Sequence, residues 1–342
     1  LILKPCERRV MIIHTKESAN IDRVQQLAKA TQSVLLQKDE RYILVTPSKM
    51  QNPPSGFDVI IDQFWPMSSD LQLGSRAYLN QTREVALGEV TIGGSTSNTI
   101  VIAGPCSVES ENQIRESANF MKSLGITALR GGCYKPRTSP YSFQGLGLEG
   151  LKLLAKMREE FGFTIVSEVR DATHVNEVIE HADVIQVGAK SMYDHGILRA
   201  CAKTTKPVLI KRGFGTTLQE FAQAAEFVLS GGNPNVMLCE RGIRTFETKT
   251  RFTLDLCGVA WLKEYTNLPI ILDPSHALGY RYGISDLSKA CVAMGIDGLL
   301  VEVHPDPSAA KSDAAQQLYH DQFSELLTAI TPVAKAVGRN IV

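Results

Sequence analysis

Arg130, Lys135 and Arg137 lie close together in Arg130-Gly131-Gly132-Cys133-Tyr134-Lys135-Pro136-Arg137-Thr138-Ser139-Pro140, followed by the hydroxyls of Thr138 and Ser139. Two glycines allow a tight turn after the apolar Thr127-Ala128-Leu129, and Pro136 and Pro140 stiffen the rest. Holding like charges on a stiff loop costs self-repulsion, which a bound anion relieves. Arg offers a bidentate fork to phosphate or carboxylate, and Lys a point charge. Three more cations, Lys190, Lys211 and Arg241, each sit just past an apolar run. Six cations at one place imply substrates bearing several phosphate or carboxylate groups. The plainer alternative is a solvated basic loop, with half of these side chains turned outward onto Glu168, Glu240 or Glu302.

A second group, Cys106, His276, Glu302 and Asp313, offers a thiol, an imidazole and two carboxylates. Taken singly, a Cys or a His in such a place is more often structural. Together they suit a divalent transition ion, and the mixed softness leaves Mn²⁺, Fe²⁺, Co²⁺ and Zn²⁺ all open. His304 competes with His276 for the same role. The spacing is too dispersed for a structural zinc motif. Cys6, Cys133, Cys201, Cys239, Cys257 and Cys291 have no partner spacing and read as structural thiols. Gly145-Leu146-Gly147-Leu148-Glu149-Gly150 spells a dinucleotide-binding pattern, but it follows a proline-containing loop rather than a strand, which argues against a nucleotide site.

These residues need a scaffold that brings distant segments to one end. From Thr99 onward, apolar runs recur at Ile100–Ala103, Thr127–Leu129, Thr164–Val166, Val184–Val187, Val208–Ile210, Val236–Leu238, Ile270–Leu272 and Leu299–Val301. Helical patterns lie between them, among them Glu111–Leu124, Leu148–Phe161, Thr173–His181, Thr217–Leu229 and Ser285–Met294. Eight such units predict an α/β fold, a (β/α)8 TIM barrel over residues 99–342, with a doubly wound sheet as the competing architecture. Each run ends in an ionisable or metal-binding group: Cys106, Arg130, Glu168, Lys190, Lys211-Arg212, Glu240-Arg241, Asp273 with His276, and Glu302 with His304. Barrel active sites gather at those strand ends, so one convergent site is expected.

Upstream, residues 1–70 read as a small β-α-β-β unit. Its parts are Val10–His14, a helix capped by Asn20, Ser33–Gln37, Arg41–Thr46 and a strand resuming at Val59–Ile61. Residues 71–98 read as a connector with strand pieces at Val85–Leu87 and Glu89–Ile92. Lys plus Arg equal Asp plus Glu at 36 each, which argues against a nucleic-acid or polybasic membrane binder. No apolar run approaches the roughly 20 residues of a membrane span. Seven scattered cysteines and the lack of a signal-peptide pattern lead to a cytoplasmic expectation.

Six stretches resemble 3-deoxy-D-arabino-heptulosonate 7-phosphate (DAHP) synthase, in particular its type I-beta branch. They are Ile102–Ser107, Arg130–Pro140, Lys211–Phe214, Cys239–Gly242, Asp273–His276 and Val301–Pro305. The sister family, 3-deoxy-D-manno-octulosonate 8-phosphate synthase, typically carries Lys-Ala-Asn-Arg-Ser where this chain has Lys135-Pro136-Arg137-Thr138-Ser139. The resemblance implies a metal-dependent, aldol-like condensation of phosphoenolpyruvate (PEP) with erythrose 4-phosphate in the shikimate pathway. It puts Cys106, His276, Glu302 and Asp313 on the metal ligands. Arg130, Lys135, Lys190, Lys211 and Arg241 fall on PEP, and Arg137 and Thr138 on the acceptor phosphate. Asp273 falls on the acceptor hydroxyls and Glu168 near the attacked enol carbon. Lys135, Glu168, His276 and Cys106 are the catalytic set so implied. It also implies a homotetramer and a ferredoxin-like regulatory domain at the N-terminus with an aromatic amino acid effector, although Pro53-Pro54 falls where that domain's second helix belongs. The alternative from another class is a non-catalytic PEP or sugar-phosphate sensor.

Overall fold

In a computed structural model of the chain, the described residues are 10–47, 50–135, 139 and 141–342. The chain begins with β1 (Val10–Thr15), α1 (Ile21–Thr31), β2 (Val34–Lys38), β3 (Arg41–Val45) and β4 (Ile61–Met67), the strands forming one antiparallel sheet in the order β2-β3-β1-β4. Asn20 caps α1 by accepting the backbone N–H of Asp22 at 2.8 Å. β1 is buried on both faces, which is why it reads as an unbroken apolar run. Met11 and Ile13 pack with Val24 and Leu27 of α1, while Ile12 packs with Ile43, Val45 and Leu73 on the side facing the barrel.

Among the described residues no helix joins β3 to β4, as Pro53-Pro54 suggests. The sheet order is that of a ferredoxin-like βαββαβ unit without its second helix. β4 begins only at Ile61, the last residue of the apolar Val59–Ile61, and continues through Trp65 and Pro66. Among the described residues it pairs with β1 alone, an edge position where a proline's missing N–H is tolerated.

A hairpin of β5 (Val85–Leu87) and β6 (Val90–Ile92) precedes the barrel. The barrel strands are β7 (Asn98–Gly104), β8 (Ala128–Arg130), β9 (Thr164–Val169), β10 (Val184–Val187), β11 (Val208–Lys211), β12 (Val236–Glu240), β13 (Ile270–Leu272) and β14 (Gly298–Glu302). All eight run parallel, and β14 pairs with β7 from Gly298 opposite Ile100 to Glu302 opposite Gly104. That pairing closes the barrel and excludes an open doubly wound sheet. The outer helices are α2 (Glu111–Ser123), α3 (Leu148–Phe161), α4 (Val175–His181), α5 (His195–Ala202), α6 (Leu218–Leu229), α7 (Leu256–Tyr265), the short α8 (Pro274–Leu278), α9 (Ile284–Ala293) and α10 (His320–Ala336). A last strand, β15 (Asn340–Ile341), lies beside β7.

Strand alternation separates two cores. Ile100 and Ile102 point into the barrel with Val166, Leu209, Met237 and Leu300, whereas Val101 and Ala103 face the helices. Val85, Leu87 and Ile92 belong to the interior cluster, so the hairpin plugs the barrel's N-terminal end. The segment joining sheet to hairpin is fastened to that same end. Glu226 of α6 accepts the backbone N–H groups of Gln72 (2.7 Å), Leu73 (3.2 Å) and Gly74 (2.8 Å). Asn267 donates its amide to the carbonyls of Leu73 and Ser75, each at 2.9 Å.

Burial pushes the Glu226 carboxyl up from 4.5 to about 7, against the pull of these N–H donors and Arg83. A carboxyl raised in the folded state contributes stability that is fully present below the unfolded value and is lost as pH rises through the folded one. Between pH 4.5 and about 7, the stability of the protein relative to its Glu226→Gln variant should therefore fall by roughly 3 kcal/mol and then level off. Urea unfolding of both proteins across that window measures the difference; a constant difference would show that this proton is not linked to folding.

Candidate active site

The eight strand ends converge as their charges suggest. A cavity of about 110 Å³ opens there, and Lys135, Glu168, Lys190, Lys211, Arg241, His276 and Asp313 are on its wall. Cys106 follows β7, and its sulfur lies with carboxylate oxygens of Glu302 and Asp313 in a set whose members are all within 4.8 Å of one another. His276 Nε2 borders this set, 3.3 Å from Glu302 Oε1 and 3.9 Å from Asp313 Oδ2. His304 does not. Its Nδ1 accepts the backbone N–H of Asp306 at 3.0 Å, and its Nε2 lies 3.8 Å from Glu109. Local structure decides between the two: His276 sits on α8, started by Pro274 and capped by Asp273, which turns the ring inward.

The support for this group comes from beyond β14. Ser312 Oγ donates to the Cys106 sulfur at 2.6 Å, Gln317 Oε1 accepts the Cys106 backbone N–H at 2.8 Å, and Gln316 donates to Glu302 Oε2 at 2.6 Å. Burial, with the charges of Glu302 and Asp313, pushes the Cys106 thiol up to about 12. Burial also holds His276 below its ordinary value despite Asp273 and Glu302, which favours the neutral imidazole that ligates metals. A thiol and two carboxylates crowded in a buried site repel one another once ionised, and a divalent cation resolves that repulsion. The donor set therefore fits such an ion, with Cys106, Glu302 and Asp313 converging and His276 beside them.

Arg130, Lys135 and Lys211 are held by buried partners. Arg130 donates from Nη1 to Glu302 Oε1 at 3.0 Å and to the carbonyl of Pro105 at 2.7 Å. Lys135 donates to the carbonyl of Cys106 at 2.9 Å, with its Nζ 3.2 Å from the sulfur. Lys211 donates to Asp273 Oδ2 at 2.6 Å. The same oxygen lies 2.7 Å from His276 Nδ1, off the ring's N–H direction. Against its burial, His276 and Lys211 hold the Asp273 carboxyl well below the usual range. Glu168 accepts from Gln186 at 2.8 Å. The neighbouring side chains Arg212 and Glu240 point away from the cavity and pair with each other at 2.9 Å, Arg212 also reaching Asp255 at 2.8 Å.

Arg137 and Thr138 lie outside the described residues. The base of their loop is described, however. Lys135 donates its backbone N–H to Gln144 at 2.9 Å, and Gly147 donates to Cys133 at 2.9 Å. Gly145 has φ +92°, and a Cβ there would lie 1.9 Å from the Cys133 carbonyl oxygen. The dinucleotide-like glycines thus close this loop and lead into α3, as their distance from any strand suggests. Tyr134 stacks on His174 at 4.1 Å and hydrogen-bonds Glu177, tying the same loop to α4.

Several residues of the site escape a reading by pattern. Arg251 lines the cavity and reaches Gln316 Oε1 at 2.8 Å and Asp313 Oδ1 at 3.5 Å. Phe214 also lines it. Ser312, Gln316 and Gln317 form a polar run after the last barrel strand, which is the one signal that could have marked them.

The family model described as the DAHP synthetase I family matches residues 76–338, which takes in the plugging hairpin and the barrel. The chain belongs to the DAHP synthetase I family. A phospho-2-dehydro-3-deoxyheptonate aldolase of Thermotoga maritima is 44% identical over 267 residues, 78% of this chain and 78% of the relative. A 2-dehydro-3-deoxyphosphooctonate aldolase of Desulfotalea psychrophila is 34% identical over 268 residues, 73% of this chain and 95% of that one. The crystal structure of the Thermotoga maritima DAHP synthase superposes with a TM-score of 0.78 at 35% identity, covering 98% of this chain and 100% of that one. A truncated form of the same enzyme gives 0.75 at 39% identity, covering 80% of this chain and 100% of that one. In this family member, Cys106→Ala should weaken Mn²⁺ or Co²⁺ binding by at least 10- to 100-fold, on the order of what losing even an outer-sphere partner does. Direct metal titration of the purified protein reads this, and unchanged affinity would remove Cys106 from the metal site.

Proposed function

We propose that the protein is a DAHP synthase, joining PEP to D-erythrose 4-phosphate to give 3-deoxy-D-arabino-heptulosonate 7-phosphate and phosphate. The observation that carries this reading is the row of cations Arg130, Lys135, Lys190, Lys211 and Arg241 beside the Cys106, His276, Glu302 and Asp313 donors at one barrel mouth. In the reaction C3 of PEP bonds to the aldehyde carbon, water adds at C2, and the C2–O bond to phosphate breaks. A divalent ion held by Cys106, His276, Glu302 and Asp313 would supply Lewis-acid polarisation of the aldehyde. Lys135, Lys211, Arg130 and Arg241 hold PEP, Lys190 adds charge at the same wall, and Arg137 and Thr138 take the acceptor phosphate. Asp273, fixed by Lys211, would meet the acceptor hydroxyls. Glu168, which accepts from Gln186 and lines the wall, is the residue of this chain that would orient the incoming water, unless the bound ion does so. Holding two anionic substrates in register is itself a large part of the barrier lowering.

Purified protein supplied with Mn²⁺, PEP and one aldose phosphate should consume PEP at least ~10-fold faster with erythrose 4-phosphate than with arabinose 5-phosphate, a difference of about 1.4 kcal/mol in transition-state binding. The reverse preference would assign it to the sister octulosonate reaction. Binding of PEP without phosphate release would make it a sensor.

We further propose the type I-beta branch, a homotetramer in the cytoplasm, a regulatory domain at residues 1–70, a connector at 71–98 and a catalytic barrel at 99–342. The support is the ferredoxin-like sheet order of the described N-terminal residues, with the cavity and the donor set built from barrel residues. The effector would be an aromatic amino acid, tyrosine or phenylalanine. A chain beginning at Leu71 keeps the segment that Glu226 fastens, so its kcat should stay within about threefold, while inhibition by either amino acid, a coupling of typically ~1–3 kcal/mol, should vanish. An intact enzyme indifferent to both amino acids would leave residues 1–70 a stability or assembly module.

A further inference from the structure

Arg241 differs from its neighbours in how it is held. Arg130, Lys211 and Arg212 each have a carboxylate oxygen at 2.6–3.0 Å. Arg241 is just as buried, yet Asp273 and Glu240 act on it only through their charge at longer range, and its Nη1 has no hydrogen-bond partner. Two aromatic rings take the place of a counter-ion. The guanidinium lies 4.3 Å from the ring centroid of Phe252 and 5.0 Å from that of Phe214, and the rings stack on each other at 4.9 Å with 16° between their planes.

The rings come from different loops, and each is anchored. Arg244 donates its backbone N–H to the Phe214 carbonyl at 2.7 Å, joining the loop after β11 to the loop after β12. Phe252 donates its own N–H to Ala277 of α8 at 2.8 Å. Gly242, with φ +95°, makes room: a Cβ there would lie 2.7 Å from Phe252 Cβ and 3.1 Å from Ala277. Arg244 and Arg251 lie farther out, 5.9 Å from Phe214 and 5.8 Å from Phe252.

We propose that Phe214 and Phe252 are positioning residues that hold Arg241 by cation–π contact, leaving its N–H groups uncommitted for a phosphate of the substrate; this rests on the condensation reading above. A carboxylate partner would fix Arg241 equally well but would have to be displaced, or would repel the arriving anion. A ring face attracts the cation without offering an acceptor for its N–H groups. The clamp therefore orients the cation and leaves its hydrogen-bonding capacity for the ligand.

The test compares wild type with Phe214→Leu, Phe252→Leu and Phe252→Tyr, reading kcat, both KM values and, without turnover, the Kd for inorganic phosphate. In the Leu variants the KM for PEP and the Kd for phosphate should rise roughly 3- to 30-fold, the span from an exposed to a desolvated cation–π contact. The KM for the aldose phosphate and kcat should stay within about twofold, and Phe252→Tyr should restore both affinities. Should the Leu variants fold poorly, phenylalanines of increasing fluorination at position 252 keep the shape and weaken the ring face stepwise, and phosphate affinity should fall in step. Unchanged phosphate affinity would overturn the proposal, as would kcat and both KM values drifting together with a falling melting temperature. If wild type condenses no aldose phosphate, the function assigned above fails, and the phosphate arm still decides the clamp.

Discussion

Charge buried without compensation is what this structure must avoid, and most of the site follows from that constraint. Arg130, Lys135, Lys211, Arg212 and Arg241 are buried together with Glu240, Asp273 and Glu302. Taking each ion out of water costs several kcal/mol, which close partners and hydrogen bonds, or at Arg241 two ring faces, offset. The barrel supplies those partners because eight parallel strands end on one rim, so residues far apart in the chain meet at hydrogen-bond distance. Arg130 reaches Glu302 across 172 positions of sequence, and Lys211 reaches Asp273 across 62. The arrangement is stiff for the same reason. Loss of one member strands another charge, typically at a cost of about 3–5 kcal/mol.

The two-residue period of a strand doubles the use of each strand end. Lys211 faces the cavity and Arg212 faces away; Arg241 faces the cavity and Glu240 faces away. The outward pair forms an ion pair behind the site, extended to Asp255, and fixes the backbone that carries the inward pair. Adjacent charges in the sequence are therefore not one patch. They are a functional residue and its support, and only the register of the strand tells which is which.

This explains what could be read from the chain and what could not. Apolar runs bounded by charge marked all eight barrel strands, because a strand buried on both faces is apolar throughout and must emerge into polar loops. Cys106, Glu302 and Asp313 were visible as candidates because, with His276, they make a mixed thiol, imidazole and carboxylate set that suits a transition ion. The choice of His276 over His304 depended on a helix cap and on the Asp306 N–H that occupies His304, neither of which has a periodic signal. The role of Val85–Ile92 as a plug was hidden for a similar reason: two short strands carry the same pattern whether they lie on a surface or fill a barrel. β4 was found at its start and missed through Phe64-Trp65-Pro66, because proline usually argues against a strand and an edge position cannot be seen in one dimension. The aromatic support of Arg241 was out of reach, since Phe214 and Phe252 meet only through tertiary contacts.

The N-terminal sheet lies at the end of the barrel opposite the site. Its connector is bound to the start of β13 through Asn267 and to α6 through Glu226. Control of catalysis by residues 1–70, as proposed, has to cross the barrel or pass through a second copy of the chain. Within one chain, α6 reaches both ends. Its N-terminal cap, Thr217, closes the loop that presents Phe214, and Glu226 in its last turns grips residues 72–74. At 1.5 Å per residue the helix spans about 18 Å. A rigid helix passes on a displacement only if its two ends can each settle in more than one arrangement. The fastening at Glu226 is a single carboxylate gripping three N–H groups, and the fastening at Phe214 is one backbone hydrogen bond and a ring stack. A shift of α6 would be felt at both fastenings, one beside the N-terminal sheet and one beside Arg241.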